Sequence, residues 1–321
     1  MTRQRSERTW ICLSLAALVA AALAPLVLAP FYVRVGQLVL YSAALGLAWA
    51  ILGGFAGYWS FGQSAFIGIG AFVGGLAEAE LATAPPALQF LVGLAAGSAA
   101  CAVIAALLAY PVLRLRGIYF AIAMLGVAHV FAELNNNIDI FQGSLGLTFP
   151  NIGIAGLDPH VFYYELFLVA AAATLLAAWL IRRSRFGYGL LSIREDEDTA
   201  RMLGVPTEHY KAAAFVVSAV IAGVLGLIYA HSLGYITTGS VYRDDTNLNA
   251  IVYSLLGGMG TLIGPIIGAA ILVVLTHVVL GDFLDFHMFA TGLLLVLLVL
   301  LAPSGLVGLA RKLVGRKKVR R

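Results

Sequence analysis

"LLSIREDEDTARMLGV", residues 190–205, packs four acids and two arginines into a chain that is apolar for long distances on either side. Where this block lies decides the fold, because the remainder reads as membrane. Of the 321 residues, 61% are hydrophobic and only 11% charged, against roughly 25% charged in soluble domains. The mean hydropathy is +0.94. Crossing a hydrocarbon core of about 30 Å takes about 20 apolar residues. Reading apolar runs against their breakers gives ten such stretches: 10–30, 35–53, 61–83, 87–110, 117–135, 161–181, 211–231, 247–262, 263–281 and 286–303. The eighth and ninth are the weakest, being short and separated by the glycine-rich "LLGGMGTLIGP" of 255–265. The composition therefore predicts an all-α, polytopic helical bundle with a single transmembrane domain at 10–303. A short N-terminus, 1–9, and a basic tail, 304–321, flank it.

Orientation follows from the basic residues. With the N-terminus in the cytoplasm, only Arg34 and Arg243 of the 20 Lys and Arg fall in outer loops. The others gather at the start, around Arg114 and Arg116, between Arg182 and Lys211, and in the tail, as the positive-inside rule requires. Ten crossings with both termini cytoplasmic fit this distribution, and inverting the chain would place its basic clusters outside. The tail "RKLVGRKKVRR" reads as an orientation signal that also touches anionic headgroups, not as a nucleic-acid element. The run from Trp10 to Pro30 is too long for the core of a cleaved leader and reads as a retained first helix. Cys12 and Cys101 lie in separate apolar runs and have no metal-ligand spacing.

On this map the charged block lies in the longest cytoplasmic loop, 182–210. Ser192 followed by Glu195 has the spacing of a capping box. Asp196, Glu197 and Asp198 put negative charge in a first helical turn. Glu197 and Arg201 stand at i, i+4, and Gly204 then Pro206 mark a C-terminus. The spacing predicts a helix over 193–203. Ile193, Ala200 and Leu203 form one narrow apolar stripe along it. So short a helix is marginal alone in water, so it either packs on the bundle or inserts into a soluble partner.

Three further segments stand beside this one: "GGFAGYWSFGQSAFIGIGAF" (53–72), "LRLRGIYFAIAMLGVA" (113–128) and "LLGGMGTLIGPIIGAAI" (255–271). Together with 184–231, they resemble branched-chain amino acid ABC transporter permeases of the LivM type, over about residues 35–305. Within the block, "DTARMLG", Asp198 to Gly204, is similar to the signature of the coupling helix that importer permeases seat in an ATPase cleft. The resemblance implies a type II-like ABC importer permease in the bacterial inner membrane. It implies coupling through Ser192, Arg194, Glu195, Glu197, Asp198, Ala200, Arg201, Leu203 and Gly204. It also implies a heterodimer with a second, homologous permease, two cytoplasmic ATPase subunits and a periplasmic or lipid-anchored solute-binding protein. The chain itself would then bind no cofactor, ATP and Mg being used by the ATPases.

The residues allow that reading. There is no GxxxxGK[ST] loop, and none of the four lysines, Lys211, Lys312, Lys317 and Lys318, follows such a pattern. No GxSxG or HExxH is present to suggest an enzyme. The predicted span centres hold almost no acids or bases, which counts against an ion-coupled secondary transporter. His231, His277 and His287 have no partner at i+3 or i+4, which counts against a metal site.

For the solute path, Ser60, Gln63 and Ser64 are spaced to form a polar stripe on one helix among glycines. That stripe would either line the path or bond across a tight helix pair. His129 and Glu133, at i, i+4, are further candidates. The second glycine-rich segment, Gly257 to Gly268, echoes the texture of the first. The loop Asn136–His160 suits the docking of an extracytoplasmic protein or a plain outer cap. Two departures from the family's pattern bear on substrate: Ala128-His129 followed by Ala132, and "IFQGSLGL" at 140–147. Urea, short amides and aromatic carboxylates thus stand beside hydrophobic amino acids as expected substrates.

Overall fold

A computed structural model of the chain describes residues 21–138, 145–150, 152–153 and 158–279, with positions 292, 305, 306 and 308. Its helices, in chain order, are α1 (Pro30–Trp49), α2 (Gln63–Ala79), α3 (Pro86–Val112), α4 (Ile118–Asn137), α5 (Pro159–Arg183), α6 (Arg185–Glu195), α7 (Glu197–Met202), α8 (Thr207–Leu233), α9 (Thr238–Val241), α10 (Asp244–Gly257) and α11 (Gly264–Val274). Two dipeptide strands, β1 (Leu147–Thr148) and β2 (Tyr235–Ile236), pair antiparallel. The chain is a helical membrane bundle. Pro30–Gly54, α3, α4, α5 and α8 are each long and apolar enough to cross a membrane.

These five match expected spans. The stretches 61–83, 247–262 and 263–281 correspond to the shorter helices α2, α10 and α11. Apart from positions 292, 305, 306 and 308, the stretch 286–303 and the basic tail lie outside the described residues, as do residues 1–20. Local chemistry sets many boundaries. Proline occupies the first turn of α1, α3, α5 and α11, where its missing N–H is no loss. Asp158 caps α5 by accepting from His160 N at 2.8 Å. Gly234 ends α8 at φ 73°, a left-handed conformation that glycine adopts without strain.

The core is built around α2, in which every residue from Gln63 to Phe72 is buried. It is held between α3 and α8 by glycine. A Cβ on Gly70 would run into the backbone of Gly223 on α8, and one on Gly97 of α3 would sit 2.7 Å from the Gly70 carbonyl. Such close backbone approach is how helices gain van der Waals contact without a hydrophobic drive between them.

Contacts sort the helix ends into two levels. At one, Tyr58, Leu113 and Lys211 meet, and Arg194 reaches Gly54. At the other, Glu78 meets His231, β1 meets β2 and Phe149 N donates to Gly234 O. Lys211 and His231 are 20 residues apart on α8, roughly 30 Å of helix. The first level is termed the hub end and the second the strand end.

Three expectations are corrected. The helix predicted over 193–203 is two helices broken at Asp196, whose backbone is extended (φ −161°, ψ 115°). Ser192 is therefore not a cap; it lies inside α6 and donates to Gly189 O at 2.8 Å. Asp196 caps α7 instead, accepting from Thr199 N at 2.6 Å. The acid wins because it accepts at N3 while Glu197 and Asp198 occupy the turn favoured by the helix dipole. Second, Ser60 precedes α2 and does not share a helical stripe with Gln63 and Ser64. Third, Arg243 is not at the strand end: the segment after α8 turns back into the bundle before α10 begins.

Candidate functional site

At the hub end, α7 is fastened to the bundle through one carboxylate. The Glu197 side chain is only 9% exposed. Its Oε1 accepts from Lys211 Nζ at 2.6 Å, and its Oε2 accepts from Tyr58 Oη at 2.5 Å. Lys211 Nζ also donates to Tyr58 Oη at 2.9 Å and to the Leu113 carbonyl at 3.3 Å. Arg116 Nε stands 3.7 Å from Glu197 and Arg201 Nη2 3.5 Å. Four segments thus converge: the strand of chain before α2, the end of α3, α7 and the first turns of α8. Arg116 grips the next residue as a fork, with bonds of 2.9 and 3.1 Å to Asp198, the planar geometry that suits guanidinium to carboxylate.

The electrostatics agree with the geometry. Burial by itself pushes the Glu197 carboxyl up. The hydrogen bonds from Lys211 and Tyr58, aided by the charges of Lys211 and Arg116, outweigh it and hold the group below its ordinary value. The Tyr58 phenol is pushed well above its ordinary value by burial and by its bond to Glu197. Asp198 is held low by Arg116, and Asp196 by the Thr199 amide it caps. A cavity of about 510 Å³ opens beside this hub, with Tyr110, Arg114, Arg116, Arg201 and Glu208 on its walls.

The end of α7 is built for exposure. Gly204 takes φ +85°; its N–H bonds to Arg201 O at 3.0 Å, and Val205 N–H bonds to Ala200 O at 3.1 Å. This is a Schellman stop. It leaves Met202 86% and Leu203 78% exposed. The apolar stripe expected from Ile193, Ala200 and Leu203 does not exist as one surface. Ile193 and Ala200 are buried against the bundle, whereas Leu203, at the C-cap of α7, points away from it. Glu195 is exposed at the break.

Arg194 links this loop to both glycine-rich segments. Its Nη1 donates to Gly54 O at 2.8 Å. Its side chain also lies where a Cβ on Gly260 would be, and 3.3 Å from where one on Gly57 would be. A Cβ on Gly54 would in turn sit 3.5 Å from Gly260 N. The two segments that echo each other in sequence therefore abut, and the guanidinium occupies the gap. Near Gly54, α1 widens into a π-turn over Ala50–Gly54, a feature frequent at functional sites.

The polar residues expected along the path divide. Gln63 Nε2 donates to Ser218 Oγ at 2.9 Å, and Ser218 passes the bond to Ala48 O at 2.7 Å. Ser64 accepts from Asn247 Nδ2 at 2.8 Å while its own N–H donates to Asn247 Oδ1 at 2.8 Å. Ser60 Oγ accepts from Gly62 N at 3.3 Å. All three are buried; the side chains of Gln63 and Ser64 join helices, whereas the Ser60 hydroxyl bonds within its own turn and its carbonyl accepts from Trp49 Nε1 of α1 at 2.9 Å. His129 differs: its side chain is 59% exposed and lies 3.6 Å from Asp244.

Sequence reasoning missed Tyr58, Arg116 and Lys211 as partners of the charged block. A signal was present in Lys211, the one lysine before the tail, standing beside the only dense group of acids. It also missed Glu78 and His231, buried together at the strand end with the Phe149 ring 4.8 Å from the imidazole. Phe149 pins the described part of the 136–160 loop onto the bundle. Among the described residues, no group of three His, Cys, Asp or Glu is placed to hold a metal ion.

Comparison with known proteins bears on this arrangement. Residues 31–302 match the family model described as branched-chain amino acid transport system, permease component. The chain is 30% identical over 324 residues to the high-affinity branched-chain amino acid transport system permease protein LivM of Escherichia coli K12, covering 92% of this chain and 74% of that one. The LivM protein of Salmonella typhimurium LT2 is similar at 30% identity over 325 residues, covering 92% and 75%. The autoinducer 2 import system permease protein LsrC of Photorhabdus luminescens matches at 34% over 99 residues, 30% of each chain.

Proposed function

We propose a function from one premise: the chain belongs to the family of branched-chain amino acid transport system permease components, and so is a multi-pass permease component of an ABC transport system. On our reading it is the LivM-type half of a bacterial importer. It pairs with a second, homologous permease, is driven by two cytoplasmic ATPases and is supplied by an extracytoplasmic solute-binding protein. Its cargo is a hydrophobic, branched-chain type amino acid. The chain carries out no chemistry of its own.

The observation that carries this reading is the hub. α7 exposes Met202 and Leu203, two large apolar side chains, at the hub end beside Arg116 and Arg201. Surface of that kind on a loop outside the membrane is what a soluble partner covers. Inward, Glu197 ties α7 to three other segments, so a push on α7 is delivered at once to α3, α8 and the chain entering α2. Arg194 carries the same push to both glycine-rich turns. Closure of the ATPases then moves α7, and packed helices respond as discrete rigid-body shifts. This puts the hub end in the cytoplasm, consistent with the basic residues there. Ser60, Gln63 and Ser64 serve the path by fixing α2 against α1, α8 and α10, and His129 faces it.

Two experiments test the proposal together. The chain, purified from its native membrane, should bring down a P-loop ATPase. In proteoliposomes, uptake of labelled leucine should need ATP and the binding protein. Active uptake by the chain without any ATPase would overturn the importer reading. Uptake of urea or an aromatic carboxylate in place of leucine would keep the importer and replace the substrate.

A further inference from the structure

The middle of the bundle carries charge that the order of spans in the sequence conceals. His129 lies eleven residues from Ile118 and eight from Asn137 along α4, roughly 16 Å and 12 Å of helix. It is therefore near half depth. Asp244 Oδ1 is 3.6 Å from His129 Nε2 and shares that level. The chain arrives there by turning inward after α8. Thr238 accepts from Asn135 near the strand end at 2.8 Å. Tyr242 stacks on Phe72 with ring centroids 6.3 Å apart and covers Gly68. α10 then starts at Asp244, and its fourth residue, Asn247, already bonds Ser64 near the start of α2. At 14 residues, α10 is roughly 21 Å long, a helix that begins inside the membrane and ends at the hub.

Arg243, Asp244 and Asp245 thus enter at half depth, where Arg243 forks onto Asp245 with bonds of 2.9 and 2.5 Å. The side chains of His129, Arg243, Asp244 and Asp245 are all at least half exposed. α4 buries its other face through Phe120, Met124, Ala128 and Asn135. The face it shares with this cluster also holds Glu133, and Gly126, where an added Cβ would meet nothing within 4 Å. Ionisable groups at this depth face a bundle interior or a water-filled cavity, not hydrocarbon. Asp244 and His129 are too short to reach a membrane surface more than 10 Å away, as a long lysine or arginine can.

We infer that Gly126, His129 and Glu133 of α4, with Arg243, Asp244 and Asp245 at the head of α10, line a water-filled cavity within the membrane. Solute follows this cavity past the middle of the bilayer. The inference rests on the permease reading above and extends it, since a re-entrant segment leading into a half-length helix is tolerated at membrane depth where it borders such a cavity. The mixed signs of the cluster suit the ammonium and carboxylate that an amino acid carries, whatever its side chain.

The test is thiol accessibility in the complete transporter in its own membrane. Gly126→Cys, His129→Cys and Asp244→Cys are compared with Val103→Cys and Leu107→Cys, which lie on the exposed apolar face of α3. The probe is a charged, water-soluble methanethiosulfonate, with labelling of the parent chain subtracted. Cysteines at 126, 129 and 244 should react at least about tenfold faster than those at 103 and 107. Equal rates at the two sets would overturn the inference, whether lipid or a dry subunit contact covers the face. Gly126→Cys keeps the test decisive if loss of Asp244 disturbs assembly, because its side chain enters open space. The labelling needs neither ATP nor solute. Failure of ATP-dependent uptake with labelling retained would therefore refute the importer and leave the cavity standing.

Discussion

Replacing Lys211 with Met isolates the joint that holds α7. Methionine keeps the length and apolar stem but removes the ammonium that bonds Glu197, Tyr58 and the Leu113 carbonyl. Removing one partner of a buried pair costs roughly 3–5 kcal/mol when the remaining charge has no compensation. Glu197 retains Tyr58 and two arginines at 3.5 and 3.7 Å, so about 2–3 kcal/mol is the better expectation for the docking of α7. At 1.4 kcal/mol per tenfold, that is roughly a 30- to 150-fold increase in local opening. Hydrogen exchange of the amides from Thr199 to Leu203, measured in lipid nanodiscs, reads it directly. Exchange in α8 beyond Ser218 should stay unchanged. Adding Glu197→Gln to Lys211→Met should recover a large part of the loss, because no buried charge is then stranded. An exchange rate within about twofold of the parent in the single variant would show that Glu197 and Lys211 are not the fastening, and the hub argument would fall.

Other outcomes follow from the same geometry. Docking of α7 should weaken in acid: Glu197 has a depressed folded value, so its contribution is complete above about pH 4.3 and is lost as pH falls through that folded value; proteolysis within 194–203 should rise only below about pH 4.3. Leu203→Asp, at an exposed position, should leave the melting temperature of the chain alone and reduce co-purification of the ATPase at least tenfold. Gly204→Pro, at φ +85°, demands a backbone that proline cannot adopt; it and Glu197→Lys should each separate ATP hydrolysis from uptake while insertion into the membrane persists. Gly70→Val drives a branched side chain into the Gly223 backbone, and overpacking of this kind costs about 1–3 kcal/mol or more; the yield of folded chain in detergent should fall sharply.

The long spans were legible in the sequence because hydrocarbon imposes one rule on every residue of a crossing, and composition alone records it. The break at Asp196 was half legible. Both Ser192 and Asp196 are good caps, the third and seventh residues of the stretch 190–205; the acids after Asp196 favour it, but Ile193, Glu197 and Ala200 also share one face of a straight helix, so spacing alone does not demand the break. The path residues show the same limit. Gln63 and Ser64 are equally suited by type to water or to a neighbouring helix, and only the positions of Ser218 and Asn247 decide for the helix.

By itself, then, the sequence determined that the chain is a membrane bundle, that its basic residues gather at one set of loops and that its acids form a discrete helical element with a glycine stop. Those properties depend on transfer free energy, charge and backbone propensity, which act within a few residues. The tertiary structure alone decided which lysine the buried acid meets, that Arg194 fills a gap between two glycine-rich turns more than 200 residues apart, and that Asp244 sits beside His129 at half depth. The last depends on how far the chain re-enters the bundle after α8, and no local rule encodes that distance: it is set where Tyr242 stops against Phe72 and Gly68.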